Sequence, residues 1–257
     1  MSDRDRLQDI AAGFGADEDV NVGNWFGMAC LKVGGKVFAA LHGGDMAFKL
    51  AGEAHAEALQ VEGARVFDPR GEGRPMKQWV QIPVAQSSAW PRFARLAYDY
   101  VLGSAQAEKE ALISGLVQAR RKVLNAARQL TAAQQDAIFL GEWSVKDMLA
   151  HLAGWDDTNI QAVQEILAGQ RPSFWQHYDR DWQSYNAQLV AQYKRDDFAE
   201  LVAVVEASHR RLIAFLQALP ADVYIKHPKI GTLLRTDIKD GHEHAGQVEA
   251  FRRSSAL

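Results

Sequence analysis

One cysteine in 257 residues, Cys30, excludes an intrachain disulfide. It lies in the apolar run Met28-Ala29-Cys30-Leu31 with nothing nearby to lower its pKa, so it reads as a small core residue rather than a nucleophile. No stretch approaches the ~18 apolar residues that a membrane span needs. The leading Met1-Ser2-Asp3-Arg4-Asp5-Arg6 is charged and lacks an apolar signal core, so a cytoplasmic location is expected. Basic excess is also missing. Residues 1–103 carry 11 Lys/Arg against 13 Asp/Glu and residues 104–257 carry 18 against 19, which together give −3. That balance disfavours nucleic acid as a partner, because phosphate-backbone binding needs surplus cations. There is no internal repeat, no low-complexity linker, no Ser/His/Asp order for a nucleophile and no paired-carboxylate spacing. Gly34-Gly35 and Gly43-Gly44 precede no helix start in the required place, so they are turn glycines and not a phosphate cradle.

What is present is an ordinary globular composition, 47% apolar and 24% charged,. The texture changes near residue 104. Before it, apolar runs alternate with glycines. Met28–Leu31 and Val37–Leu41 flank Gly34-Gly35, a two-residue hairpin signal. Met46–Leu50 reads as a third strand, Glu53–Leu59 as a helix, Trp79–Ile82 as a strand stopped by Pro83, and Trp90–Leu102 as a closing helix with Pro91 in its first turn. The expected first domain, residues 1–103, is therefore α+β with a small antiparallel sheet. Its loop Arg74-Pro75-Met76-Lys77 sets two cations beside a strand and reads as a solvent-exposed support for Trp79.

After residue 104 the period is helical. Glu108–Leu130 is one amphipathic helix. Ser144 forms a capping box with Asp147 and starts a helix that runs to about Leu167, with Gly169 as its stop. Residues 170–178 form an irregular aromatic crossover, followed by a short helix from about Asp179 to Tyr193. Asp197–Leu219 and Thr232–Arg253 complete the set. The expected second domain, residues 104–257, is an all-α four-helix bundle.

Two helices carry histidines on or beside an apolar stripe: His151, at i+3 from Met148 and i−4 from Trp155, and His244. Imidazoles from separate helices of one bundle commonly make a metal or acid–base site. His177 and Tyr178 in the aromatic crossover are read as pocket-lining, with Tyr178 a candidate catalytic group. Trp182 is read as a plug at the bundle top. Asn186, on an apolar helix face, needs a partner if buried. His209-Arg210-Arg211 reads as solvated helix surface, and Asp179-Arg180-Asp181 as a helix start.

Two resemblances follow from these runs. Trp25-Phe26-Gly27-Met28, Gly34–Ala39, Met46–Leu50, Val66-Phe67 and Gly73–Pro83 resemble the TfoX N-terminal/YjbR-like domain, which implies a small α+β fold and no defined activity. Glu142–Trp155, His177–Asn186, Ala207–Leu212 and His244–Val248 resemble the DinB/DfsB-like four-helix-bundle family. That resemblance implies a divalent metal (Zn, Ni, Fe or Mn) held by three histidines, one near the start of the second helix and two spaced i, i+4 on the last. It also implies thiol-dependent transferase or isomerase chemistry, and for the DfsB-like branch self-protection against reactive small molecules. His151 and His244 match the first and last metal positions. The chain departs at Asp240, which stands where the middle histidine belongs. Asp240 and His244 would share a helix face, and a His₂Asp set is acceptable chemistry for these metals. His242 points to another face. The expected function is thus a metal-assisted or His-dependent hydrolase or transferase acting on a small molecule. The rivals are a binding or regulatory protein that uses the first domain for partner contact, with the bundle as a homodimer unit, and a nucleic-acid-linked regulator.

Overall fold

The computed structural model describes residues 3–15 and 18–254, the side chains of residues 3, 4, 178 and 179 excepted. Contacts divide the chain into two compact units, one of Met1–Glu108 with Ala221–Lys226, the other of Lys109–Pro220 with His227–Leu257.

The first unit is built on an antiparallel sheet. After α1 (Asp3–Ala12) come β1 (Val20–Trp25), β2 (Met28–Val33), β3 (Lys36–His42), β4 (Asp45–Lys49), α2 (Gly52–Ala58), β5 (Arg65–Val66) and β6 (Trp79–Ile82). The strand order is β1-β2-β3-β4-β6-β5, and every neighbouring pair is antiparallel. Gly34 and Gly35 sit at φ of 54° and 75° between the paired Val33 and Lys36, the double positive φ that a tight hairpin requires. Gly34 has a second constraint, since a Cβ there would lie 2.7 Å from Ile225 Cγ1. β1 is not visible in the sequence pattern, because Asn21, Gly23 and Asn24 are weak strand formers. Its pairing with β2 along the full length decides the matter instead,. One sheet face packs Leu31, Phe38, Phe48 and Ile82 against Leu7, Trp90, Phe93 and Ala97. The other gathers Cys30, Phe67 and Trp79, with Trp25 stacked on Trp79 at 4.7 Å. Burial raises the Cys30 thiol pKa, consistent with an inert core residue.

α3 corrects one expectation. It runs unbroken from Trp90 to Ala127 instead of ending near 102 and restarting at 108. Ser104 Oγ donates to the Tyr100 carbonyl at 2.9 Å, which satisfies its hydroxyl inside the helix,. The single Gly103 costs only about 1 kcal/mol.

The second unit is mostly helical: the later part of α3, α4 (Ala132–Asp136), a short hairpin of β7 (Ile138–Leu140) and β8 (Trp143–Ser144), α5 (Val145–Leu167), α6 (Phe174–Tyr193), α7 (Phe198–Ala218) and α9 (Pro228–Ser254). α8 (Val223–Lys226) groups with the first unit. Val123, Ala127, Met148, Leu149, Leu152, Leu201, Val205, Ala245 and Val248 form a common core, and α5 packs on α6, α7 and α9. α6 begins before the expected Asp179 and is kinked at Asp181 (φ −158°, ψ 81°). The Asp181 carboxylate accepts from the Ser184 amide at 3.0 Å, so it caps the second half of the helix rather than starting it.

Candidate active site

The site is assembled from two helices and a hairpin. Ser144 Oγ accepts from the Asp147 amide at 3.2 Å while Asp147 Oδ2 accepts from the Ser144 amide at 2.9 Å. This capping box fixes the start of α5,, and His151 follows two turns later. The β7–β8 hairpin delivers Trp143, whose ring centroid lies 4.8 Å from that of His151. α9 brings His244.

The two imidazoles meet. Their ring centroids are 5.8 Å apart and their planes cross at 86°. The Trp155 ring meets His151 edge-to-face at 6.1 Å. His151 keeps part of its surface open, but Nδ1 is sealed and has no hydrogen-bond partner among the described residues. Burial, assisted by the nearby His244 and Arg120, pulls its pKa from 6.5 to about 3, so the ring is neutral at any physiological pH. His244 Nδ1 lies 2.8 Å from Gln247 Oε1. A carbonyl oxygen only accepts, so Nδ1 carries a proton, and the nitrogen left for a lone pair is Nε2.

The aromatic crossover extends this wall. Trp155 meets Phe174 edge-to-face at 5.3 Å and Tyr185 at 5.8 Å. The exposed His177 stacks on Tyr185 at 6.2 Å. Asn186 is buried and accepts from Trp155 Nε1 at 3.0 Å, which supplies the partner that its position demanded. Trp182 is 50% exposed and does not plug the bundle, which corrects that reading. The Tyr178 side chain lies outside the described residues. Asp240 is exposed. Partial burial of its inner side raises its pKa, and His244 opposes that rise.

A polar cluster that the sequence reading missed lies in the same bundle. Asp156, fully buried, pairs with Arg120 at 3.0 Å, accepts from Ser208 Oγ at 2.7 Å and faces His209 Nδ1 at 3.3 Å. His209 is therefore an inward residue, with 12% of its side chain exposed, and not solvated surface as expected. Arg211 does face outward, where it forms an ion pair with Asp157.

Residues 115–248 match the family model described as the DinB superfamily. The chain belongs to the DinB superfamily. No curated protein and no solved structure matches it. A metal centre would need a third donor beside His151 and His244. Among the described residues no three His, Cys, Asp or Glu side chains come together as a metal-binding group. The donor set in this DinB chain is thus two imidazoles with an exposed carboxylate one turn away, which does not complete a metal centre.

Proposed function

We propose that this DinB protein is a histidine-dependent hydrolase acting on a reactive, largely apolar small molecule. The observation that carries the reading is the meeting of His151 and His244 at 5.8 Å beside an aromatic wall. His244 Nε2 is the general base. It takes a proton from water as the water oxygen bonds to the electrophilic carbon, then returns that proton to the departing group. Gln247 holds the tautomer that makes this possible. His151 remains neutral, so it accepts a hydrogen bond from the transient His244 cation without repelling it. Trp143, Trp155 and Phe174 offer apolar surface that excludes bulk water from the reacting atoms. The Trp-rich run 142–155 supports a DfsB-like role in protection against electrophiles. The TfoX-like strands of the first unit are assigned to partner contact, and the protein to the cytoplasm; no helix among the described residues is long and apolar enough to cross a membrane.

Hydrolysis of 4-nitrophenyl acetate and styrene oxide tests the reading. Full-length protein should accelerate at least one of them, with a loss of about 100-fold or more in His244→Gln. Equal rates in wild type and His244→Gln would reject the catalytic role and leave the binding or regulatory alternative.

A second reading keeps the metal, and the unpartnered His151 Nδ1 favours it. His151 and His244 would be two ligands, with Asp240 the third after a side-chain shift. Elemental analysis of protein purified without chelator decides this: stoichiometric Zn, Ni, Fe or Mn lost in His151→Ala supports it, and metal-free wild type rejects it.

A further inference from the structure

The bundle contains a second polar site, to which four of its helices contribute. Arg120 comes from α3, Asp156 and Asn159 from α5, Ser208 and His209 from α7, and Asp237 from α9. A cavity of about 10 Å³ lies among them, lined by Leu116, Ala119, Arg120, Leu152, His209, Asp237 and Gly241. That is about the least space that admits a single water.

Buried polar atoms without a protein partner among the described residues belong to the side chains that line this cavity. Arg120 is 6% exposed, and its Nη2 serves Asp156 and the Leu152 carbonyl, but Nη1 has no partner among the described residues. His209 turns Nδ1 toward Asp156, and its Nε2 is likewise buried and without a partner there. In the tautomer whose Nδ1–H donates to the carboxylate, the Nε2 lone pair is left to accept. Asn159 is 1% exposed and lies near enough to Asp237 to lower its pKa, although its amide makes no well-aligned hydrogen bond. A donor, an acceptor and a carboxyl therefore border a space of one water. Leaving such groups unpaired costs about 1–3 kcal/mol each.

We propose that this cavity is a binding site for a single internal water that accepts from Arg120 Nη1, donates to His209 Nε2 and bonds the Asp237 carboxyl. Three bonds is the usual complement of a buried water. The site favours a neutral guest because the Arg120 charge is already matched by Asp156 at 3.0 Å. Burial and the neighbouring Asp156 push Asp237 up to about 7, against Arg120, so its carboxyl adds little charge below neutrality. The water thereby links α9, through Asp237, to α3 and α7. The site does not depend on the chemistry proposed for the imidazole pair.

The experiment has two readouts on the full-length protein. In solution, a rotating-frame Overhauser cross-peak should connect a long-lived water to the His209 ring in wild type and in Asp237→Asn, and vanish in Asp237→Leu. Amides of α9 should exchange about tenfold faster in Asp237→Leu than in Asp237→Asn, the loss expected of one hydrogen-bonded link. In crystals, one density peak should lie within about 2.7–3.2 Å of Arg120 Nη1 and His209 Nε2, with no anomalous peak there after a bromide soak. Absence of the wild-type cross-peak, a dry cavity, or bromide in its place would each overturn the proposal. Should Asp237→Leu fail to fold, wild type and Asp237→Asn decide it alone.

Discussion

Gln247 Oε1 accepts the Nδ1 proton of His244 at 2.8 Å, one turn along the same helix. This contact sets which nitrogen of the proposed base is free. In the proposed mechanism Gln247 is thus a positioning residue. Gln247→Leu should leave the fold intact, lower turnover about tenfold and let both neutral tautomers of His244 appear in ¹⁵N spectra. Gln247→Glu should restore the single tautomer. A Gln247→Leu protein with one unchanged tautomer would remove this role.

Two half-buried groups pull the pH dependence of stability in opposite directions. His151 is lowered from 6.5 to about 3. Between those values the unfolded chain binds the extra proton, so this stabilisation is present above pH 6.5 and is lost as pH falls. Asp237 is raised from 3.8 to about 7. There the folded state binds the extra proton, so its contribution is present below pH 3.8 and is lost as pH rises through 7. Each slope has a ceiling of about 1.4 kcal/mol per pH unit. Across pH 4–6.5 they offset each other. Urea unfolding of Asp237→Asn should show stability rising with pH over this window, and His151→Phe should show it falling. Parallel slopes in the two variants would contradict both assignments.

The Arg120–Asp156 pair is 6% and 0% exposed. Arg120→Met should cost about 3–5 kcal/mol in chemical denaturation, because it strands a buried carboxylate. Ser208→Ala should cost less, about 1.5–3 kcal/mol, since it removes one hydrogen bond to a charged group. A near-neutral Arg120→Met would mean that Asp156 is protonated or hydrated.

Much of this architecture was legible because it rests on local signals. The Gly34-Gly35 turn, the Ser144/Asp147 box and the helical period after residue 104 announce their elements directly. The imidazole pair was legible through the run ending at His151 and the His244 helix. β1 was not, because pairing rather than composition makes it a strand. The continuity of α3 was hidden by Gly103-Ser104, whose effect depends on a bond back to Tyr100. The Arg120/Asp156/Ser208/Asp237 cluster did leave a trace. Each residue interrupts an apolar stripe of its helix, as in Leu152-Asp156-Val163 or Leu234-Asp237-Gly241. Four such interruptions on four helices signal a shared buried network, but the pairing among them needs three dimensions. His209 was misread because its neighbours Arg210 and Arg211 are exposed, and one helical turn carries both environments.

The most direct test of the paired-imidazole site is a ¹H–¹⁵N titration of the histidine rings with Overhauser contacts between them. His151 should remain neutral down to about pH 4, and its ring protons should show contacts to those of His244 and to Trp143. A His151 that titrates near 6.5, with no contact to His244, would contradict the site on which the proposed chemistry stands.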